Sequence, residues 1–389
     1  MTTAEHDFHL AGGGPLARLA TRIRFGRAIV AAQHRAVAIA IFIWVPGLAF
    51  AIAQHVALPG RVHIPFLLDP EVYARYLIAL PLLVLAEIGV DRAGKEAIEQ
   101  FVRSGLVPEG ELPALRALLE QAQARRSSPA AALVVALLAI VPLFIQGVGG
   151  WSAEYRDTWY LAPDGVSLTA AGIWILFIGQ GALRYVIYGW IWRLTVWAML
   201  LGRIMTLKLR TFPSHPDRAA GLGFLGLTQA RFGVIAFAAS AGVSGSIARD
   251  LIFQGAKLSP QFVSLGLYVL ALTALLMLPL LATAPHLFRI RRQGLFDYGV
   301  LASRYEQRFD GKWVNIDGEP GPDLLGTDDI QSLDSLGASY DRVNRMLMIP
   351  IDRAGLLSIV IAAAAPMLPL VLIDPEARVL VTELLRKLV

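Results

Sequence analysis

The chain has 389 residues, 56% hydrophobic and 17% charged, with 35 Lys and Arg against 30 Asp and Glu and no cysteine. A soluble domain carries about 25% charged residues, so this balance excludes a disordered or water-soluble protein. The missing cysteines exclude disulfides, thiolate nucleophiles, iron–sulfur clusters and sulfur-bound zinc, and the basic excess suits cytoplasmic loops facing anionic lipid rather than nucleic acid.

Glu5 and Asp7 precede a first apolar run that starts only near Ala36, so that run is expected to be retained rather than cleaved as a leader. Residues 1–35 read as a cytoplasmic basic amphipathic segment. Within it, Pro15 to Arg35 suits a helix in the headgroup region that helps to set topology. Seven apolar runs follow: Ala36 to Gln54, Tyr76 to Val90, Ala130 to Gly147, Leu168 to about Gly202, Phe232 to Ala248, Phe262 to Phe288 and Ala354 to Ile373. A hydrocarbon core about 30 Å thick takes roughly 20 helical residues, so each run is read as a span. The fourth, about 50 Å long as one helix, is either one span with a cytoplasmic extension or a hairpin. Kept as one span, it leaves 25 basic residues on one side and 8 on the other, whereas splitting it erases the bias. The positive-inside rule therefore predicts an all-α, seven-span bundle, N-in and C-out.

On this reading 36–288 holds six spans with an amphipathic cytoplasmic loop at 91–128. Residues 289–353 form a cytoplasmic helical loop, 354–373 the seventh span and 374–389 an external amphipathic tail. Trp151, Tyr155, Trp159 and Tyr160 mark the outer interface, and Tyr185, Tyr188, Trp190, Trp192 and Trp197 the inner end of the long fourth helix. In the last loop a helix is expected from about Asp328, with an apolar stripe of Ile330, Leu333, Leu336, Tyr340, Val343 and Leu347 that needs a cover.

Ionisable residues within spans are the first functional candidates. Glu87 and Asp91 lie four apart on one face of the second helix, and Arg184 and Arg193 lie on the fourth; Glu87 and Arg184 sit at similar depth and are expected to pair. His215, Asp217 and Arg218 form either a turn or a polar site for an anion or proton, followed by glycines at 221, 223 and 226. Those glycines match a dinucleotide fingerprint only formally, because no strand precedes them. Ser240, Gly242, Ser244 and Ser246 make the fifth span small on nearly every face, which suits tight packing or a narrow hydroxyl-lined pore. No HExxH, GxSxG or P-loop is present and the seven histidines do not cluster, so no cofactor, metal or catalytic set is expected. Asn315 to Gly318 matches only part of a calcium loop.

Taken together, Ala86-Glu87, the stretch Phe101 to Glu109, Trp190 to Arg193, His215 to Leu225 and Thr327 to Leu333 resemble a family of bacterial multi-pass inner-membrane proteins without assigned activity. The resemblance spans about residue 70 to the last run. It implies a bacterial inner-membrane location and no particular site residue. Three functions follow as expectations: a homo-oligomeric channel or transporter; a sensor or scaffold that binds a lipid or small apolar ligand and a cytoplasmic partner; and an interfacial lipid-modifying enzyme using His215 and Asp217.

Overall fold

A computed structural model describes residues 28–145, 157–162, 164, 167–314, 328–351 and 353–376, with side chains from 32 onward. Most of the expected headgroup helix from Pro15, together with Trp151, Tyr155, the Asn315 to Gly318 segment and the tail beyond Glu376, lies outside the described residues. The structure is 79% helical, without strands among the described residues. Seven helices are long and apolar enough to cross a membrane: α1 (Ala32–Ala53), α2 (Pro70–Arg103), α3 (Glu109–Ile145), α4 (Ala170–Ile204), α5 (Phe224–Phe253), α6 (Ser259–Val314) and α8 (Arg353–Ile373). Between the last two lies α7 (Asp329–Asn344). The fourth run is one helix of 35 residues, and the chain is a polytopic helical membrane protein.

Loop contacts sort the ends of the helices into two faces. On one, the backbone of Arg210 donates to Leu106, that of Leu347 donates to Arg218, and Arg203 donates to Gln121. On the other, His63 lies 3.0 Å from the Phe253 carbonyl, Trp159 donates to Asp69, and Leu258 donates its N–H to Asp374. The first face gathers the basic loops and is called the basic face below. Large apolar side chains such as Leu133, Phe144, Val263 and Leu270 point outward, as lipid contact requires.

α5 is the central helix: 56% of its apolar window is buried, against 17–39% for the other six. Its small residues explain this. A Cβ on Gly245 would collide with Ala74 and crowd the Pro70 carbonyl, so α5 and α2 meet backbone to backbone. α2 and α4 each contain a widened turn, Tyr73–Ala79 and Trp174–Gly179. The two turns meet where a Cβ on Gly179 would sit 2.9 Å from the Tyr76 ring. Trp190 Nε1 donates to the Leu83 carbonyl and Trp174 Nε1 to that of Ile43, which fixes the rotation of α4 against α2 and α1.

Beyond the bilayer-spanning part α6 runs on, to a total of 56 residues, after a tightened stretch at Leu278–Thr283. α7 packs antiparallel on this extension: Arg291 donates to the Asn344 carbonyl, and Trp313 and Lys312 both bond Asp329. The predicted stripe is thereby partly covered, with Val343 buried and Ile330 exposed. Leu347 lies past the helix end, because α7 stops at Asn344 ahead of Pro350.

Candidate functional site

At the basic-face end of the bundle α1, α2, α3 and α4 enclose a cavity of about 70 Å³. Arg35 reaches it from α1 and Glu87 from α2. Arg126 comes from the point where α3 breaks, and Tyr185, Gly189, Trp192 and Arg193 from α4. The break has a local cause. Ser127 caps the segment Leu112–Arg126, Ser128 Oγ accepts from the Ala131 N–H, and Pro129 opens the segment Pro129–Ile145. Arg126 is thus the last residue of one helical segment, directed into the space beside the next.

Glu87 is shared. Its Oε1 accepts from Arg193 Nη2 at 2.6 Å and its Oε2 from Arg35 Nη2 at 3.4 Å, with the carboxylate side chain only 14% exposed. Arg193 also lies over the Trp190 ring at 4.7 Å. Arg126 is 7% exposed, and none of its three guanidinium nitrogens has a hydrogen-bond partner among the described residues. Asp91 and Glu87 attract it through space and Arg193 repels it. Among the described residues three guanidinium groups thus face two carboxylates, and a buried charge such as Arg126 is costly unless a counter-charge meets it.

The expected Glu87 to Arg184 pair is not formed. Arg184 and Arg193 are nine residues apart, which at 100° per residue places them on opposite faces of α4. The Trp190 bond to Leu83 turns Arg193, not Arg184, toward Glu87. Arg184 instead lines a second cavity of about 280 Å³ with Arg75, Gln180, Gly242 and Ser246.

The segment after α4 is a turn organised by one carboxylate. Asp217 accepts from the N–H groups of Ala219 (2.9 Å), Gly221 (3.1 Å) and Gly223 (2.8 Å), and His215 Nδ1 lies 2.7 Å from it. Burial pushes the Asp217 carboxyl up, but the three N–H donors and His215 outweigh it and hold the group below the usual carboxylate range. Arg218, Ala220 and Gly221 all adopt positive φ, and the Arg218 carbonyl is tied to Leu347. These residues lie in the loop between α4 and α5, away from the Arg126 cavity.

On α5, Ser240 is fully buried, Ser244 donates to the Pro366 carbonyl at 2.6 Å, and Ser246 accepts from Arg75 at 2.8 Å. A Cβ on Gly242 would lie 3.8 Å from Ala79 and Arg75. Within the protomer Gly242 and Ser246 are therefore turned to α2 and Ser244 to α8. Toward the other face of the bundle a buried ion network extends from them. Glu71 is held by both Arg75 and Arg249, and Arg249 also bonds Asp250. Asp69 accepts from Trp159 Nε1 and from the Glu71 N–H, each at 2.9 Å. Burial, then the charge of Glu71, pushes Asp69 up to about 6.

Sequence reasoning counted Arg126 and Arg35 only as topology signals and passed over Asp69 and Glu71. Asp69-Pro70-Glu71 carries a visible helix-start pattern, a cap followed by Pro at the first turn. Nothing in the spacing marks Arg126 as buried, since its neighbour Arg125 is of the same type and points to Met199.

Fold and cavity together define a polytopic α-helical membrane protein with an arginine-rich pocket at one end of its bundle. No known family model, curated protein or solved structure matches the chain.

Proposed function

We propose that this is a membrane-resident binding protein, a sensor or scaffold, that seats an anion on Arg126 in the cavity between α1, α2, α3 and α4. The observation that carries this reading is the buried guanidinium without a hydrogen-bond partner among the described residues. Glu87 already serves Arg35 and Arg193, which leaves Arg126 without a bonded carboxylate among the described residues. The basic face is cytoplasmic on the positive-inside count, and the resemblance drawn from sequence puts the chain in a bacterial inner membrane. The exposed apolar residues of the α6–α7 hairpin, Phe296, Val300 and Ile330, offer a partner-docking face.

Transport is the second reading, and the second cavity favours it. Leu83 and Arg184 line that cavity, while their chain neighbours Val84 and Tyr185 line the first, so two charged spaces flank a single α2–α4 contact. A pore lined by α5 draws less support, because Ser244 and Ser246 bond the Pro366 carbonyl and Arg75 inside the protomer.

The test is an anion titration of the purified chain in neutral detergent, read as thermal stabilisation, which rises with ligand as RT ln(1 + [L]/Kd). Inorganic phosphate should stabilise the native chain. Arg126→Gln should lose the effect, and Glu87→Gln, which removes a competing negative charge, should keep or strengthen it. Equal stabilisation of native chain and Arg126→Gln contradicts the proposal.

A further inference from the structure

We infer that the anion is the headgroup of a membrane amphiphile, whose hydrocarbon chain runs from the Arg126 cavity toward the middle of the bilayer. This rests on the anion-seat reading above and adds the class of ligand.

The four helices agree on one polarity. α1 enters from the basic face with Arg35 first and Ile39 one turn deeper; α2 arrives at that face with Val84 one turn deeper than Glu87. α3 leaves Arg126 at the face and places Val135 nine residues further in; α4 places Val186 seven residues deeper than Arg193. At 1.5 Å per residue, the apolar wall begins about 5 Å inside the charged level and continues to about 10 Å along α4. A cavity that is charged at the membrane boundary and apolar toward the bilayer centre has the polarity of a lipid lying in its own leaflet. A soluble anion would gain nothing from the inner wall.

The size and the opening agree with this. About 70 Å³ is a few waters' worth of space, enough for a headgroup and not for a chain, so the chain must lie in the groove beyond. α1 and α3 each pack on α4, and neither is a principal packing partner of the other. The groove between them is walled by apolar side chains that already line the cavity, Ile39 on α1 and Ala132 and Val135 on α3. Gly189 lines the cavity from α4, and a Cβ there would meet nothing within 4 Å. That open space above the arginines is where the first carbons of a chain fit.

The experiment compares three ligands on the full chain in neutral detergent by native mass spectrometry: glycerol phosphate, 1-acyl-glycerol phosphate and monoacylglycerol. The acyl chain concentrates the ligand in the micelle beside the cavity, so the acylated phosphate should bind at least about tenfold tighter than glycerol phosphate. Arg126→Gln should weaken it about tenfold or more and leave monoacylglycerol unchanged. Gly189→Leu, which places a side chain in that open space, should weaken the acylated phosphate more than glycerol phosphate. Equal affinity for the acylated and bare phosphates overturns the headgroup assignment but leaves the anion seat standing. Phosphate binding that ignores Arg126→Gln, or no binding of either phosphate, overturns both.

Discussion

Arg126 owes its position to the helix break beside it, and its burial without a hydrogen-bond partner makes the ligand-free protein pay in stability what the bound state recovers. Replacing it with a side chain of similar length and no charge should therefore raise stability. Arg126→Met is predicted to raise the melting temperature in neutral detergent without added anion, by roughly 1–2 kcal/mol of stability, while anion binding is lost. A lower melting temperature would show that the guanidinium is a structural support. Glu87→Ala is predicted to act in the opposite direction and cost about 3 kcal/mol, because Arg35 and Arg193 lose their shared counter-charge. Asp217 belongs to a turn, so Asp217→Ala should cost roughly 2 kcal/mol through the orphaned N–H groups of Ala219, Gly221 and Gly223 and leave anion affinity unchanged. Asp69 supplies a pH signature. Its folded pKa, about 6, lies above the usual unfolded carboxyl value near 3.9. The folded state thus holds the proton more tightly, and the resulting stability is full below about pH 4 and is lost as the pH rises through about 6. Melting curves between pH 4 and 7 should show this decline in the native chain and lose it in Asp69→Asn.

Among the helices, α5 and α4 show how far periodicity reaches. The small residues of α5 are legible as a close-packing surface, but which helix they meet depends on tertiary placement, and only the contact of Gly245 with Ala74 identifies α2. Gly245→Ala is predicted to cost roughly 1–3 kcal/mol by overpacking, whereas Gly242→Ala, whose added Cβ would have its nearest neighbours at 3.8 Å, should be tolerated. Comparable losses at both positions would contradict the backbone contact. On α4 the depth of the arginines is legible from residue count, while their direction is set by Trp190 and Gly179, which lock the rotation of the helix. That is why a charge at the right depth, Arg184, was the wrong partner for Glu87. Arg126 was hidden for a related reason: burial at a helix break has no periodic signature, and Arg125 beside it looks the same in sequence.

For the molecule as a whole, length and hydropathy made seven spans and an unbroken fourth helix legible, because a bilayer imposes a fixed length and the scarce charges mark the ends. The faces are sorted by contact, and the side on which each lies is open to direct test. The chain has no cysteine, so single substitutions report cleanly. In intact bacterial cells a membrane-impermeant maleimide should label Arg61→Cys and spare Arg345→Cys; the reverse pattern would invert the proposed orientation. Whether the bundle holds an anion at Arg126 is read from a map of the full chain in lipid nanodiscs. Non-protein density should lie within hydrogen-bonding distance of the Arg126 guanidinium and continue into the groove between α1 and α3. A guanidinium turned onto Asp91 or onto a backbone carbonyl, with the cavity closed around it, would mean that no anion is seated there.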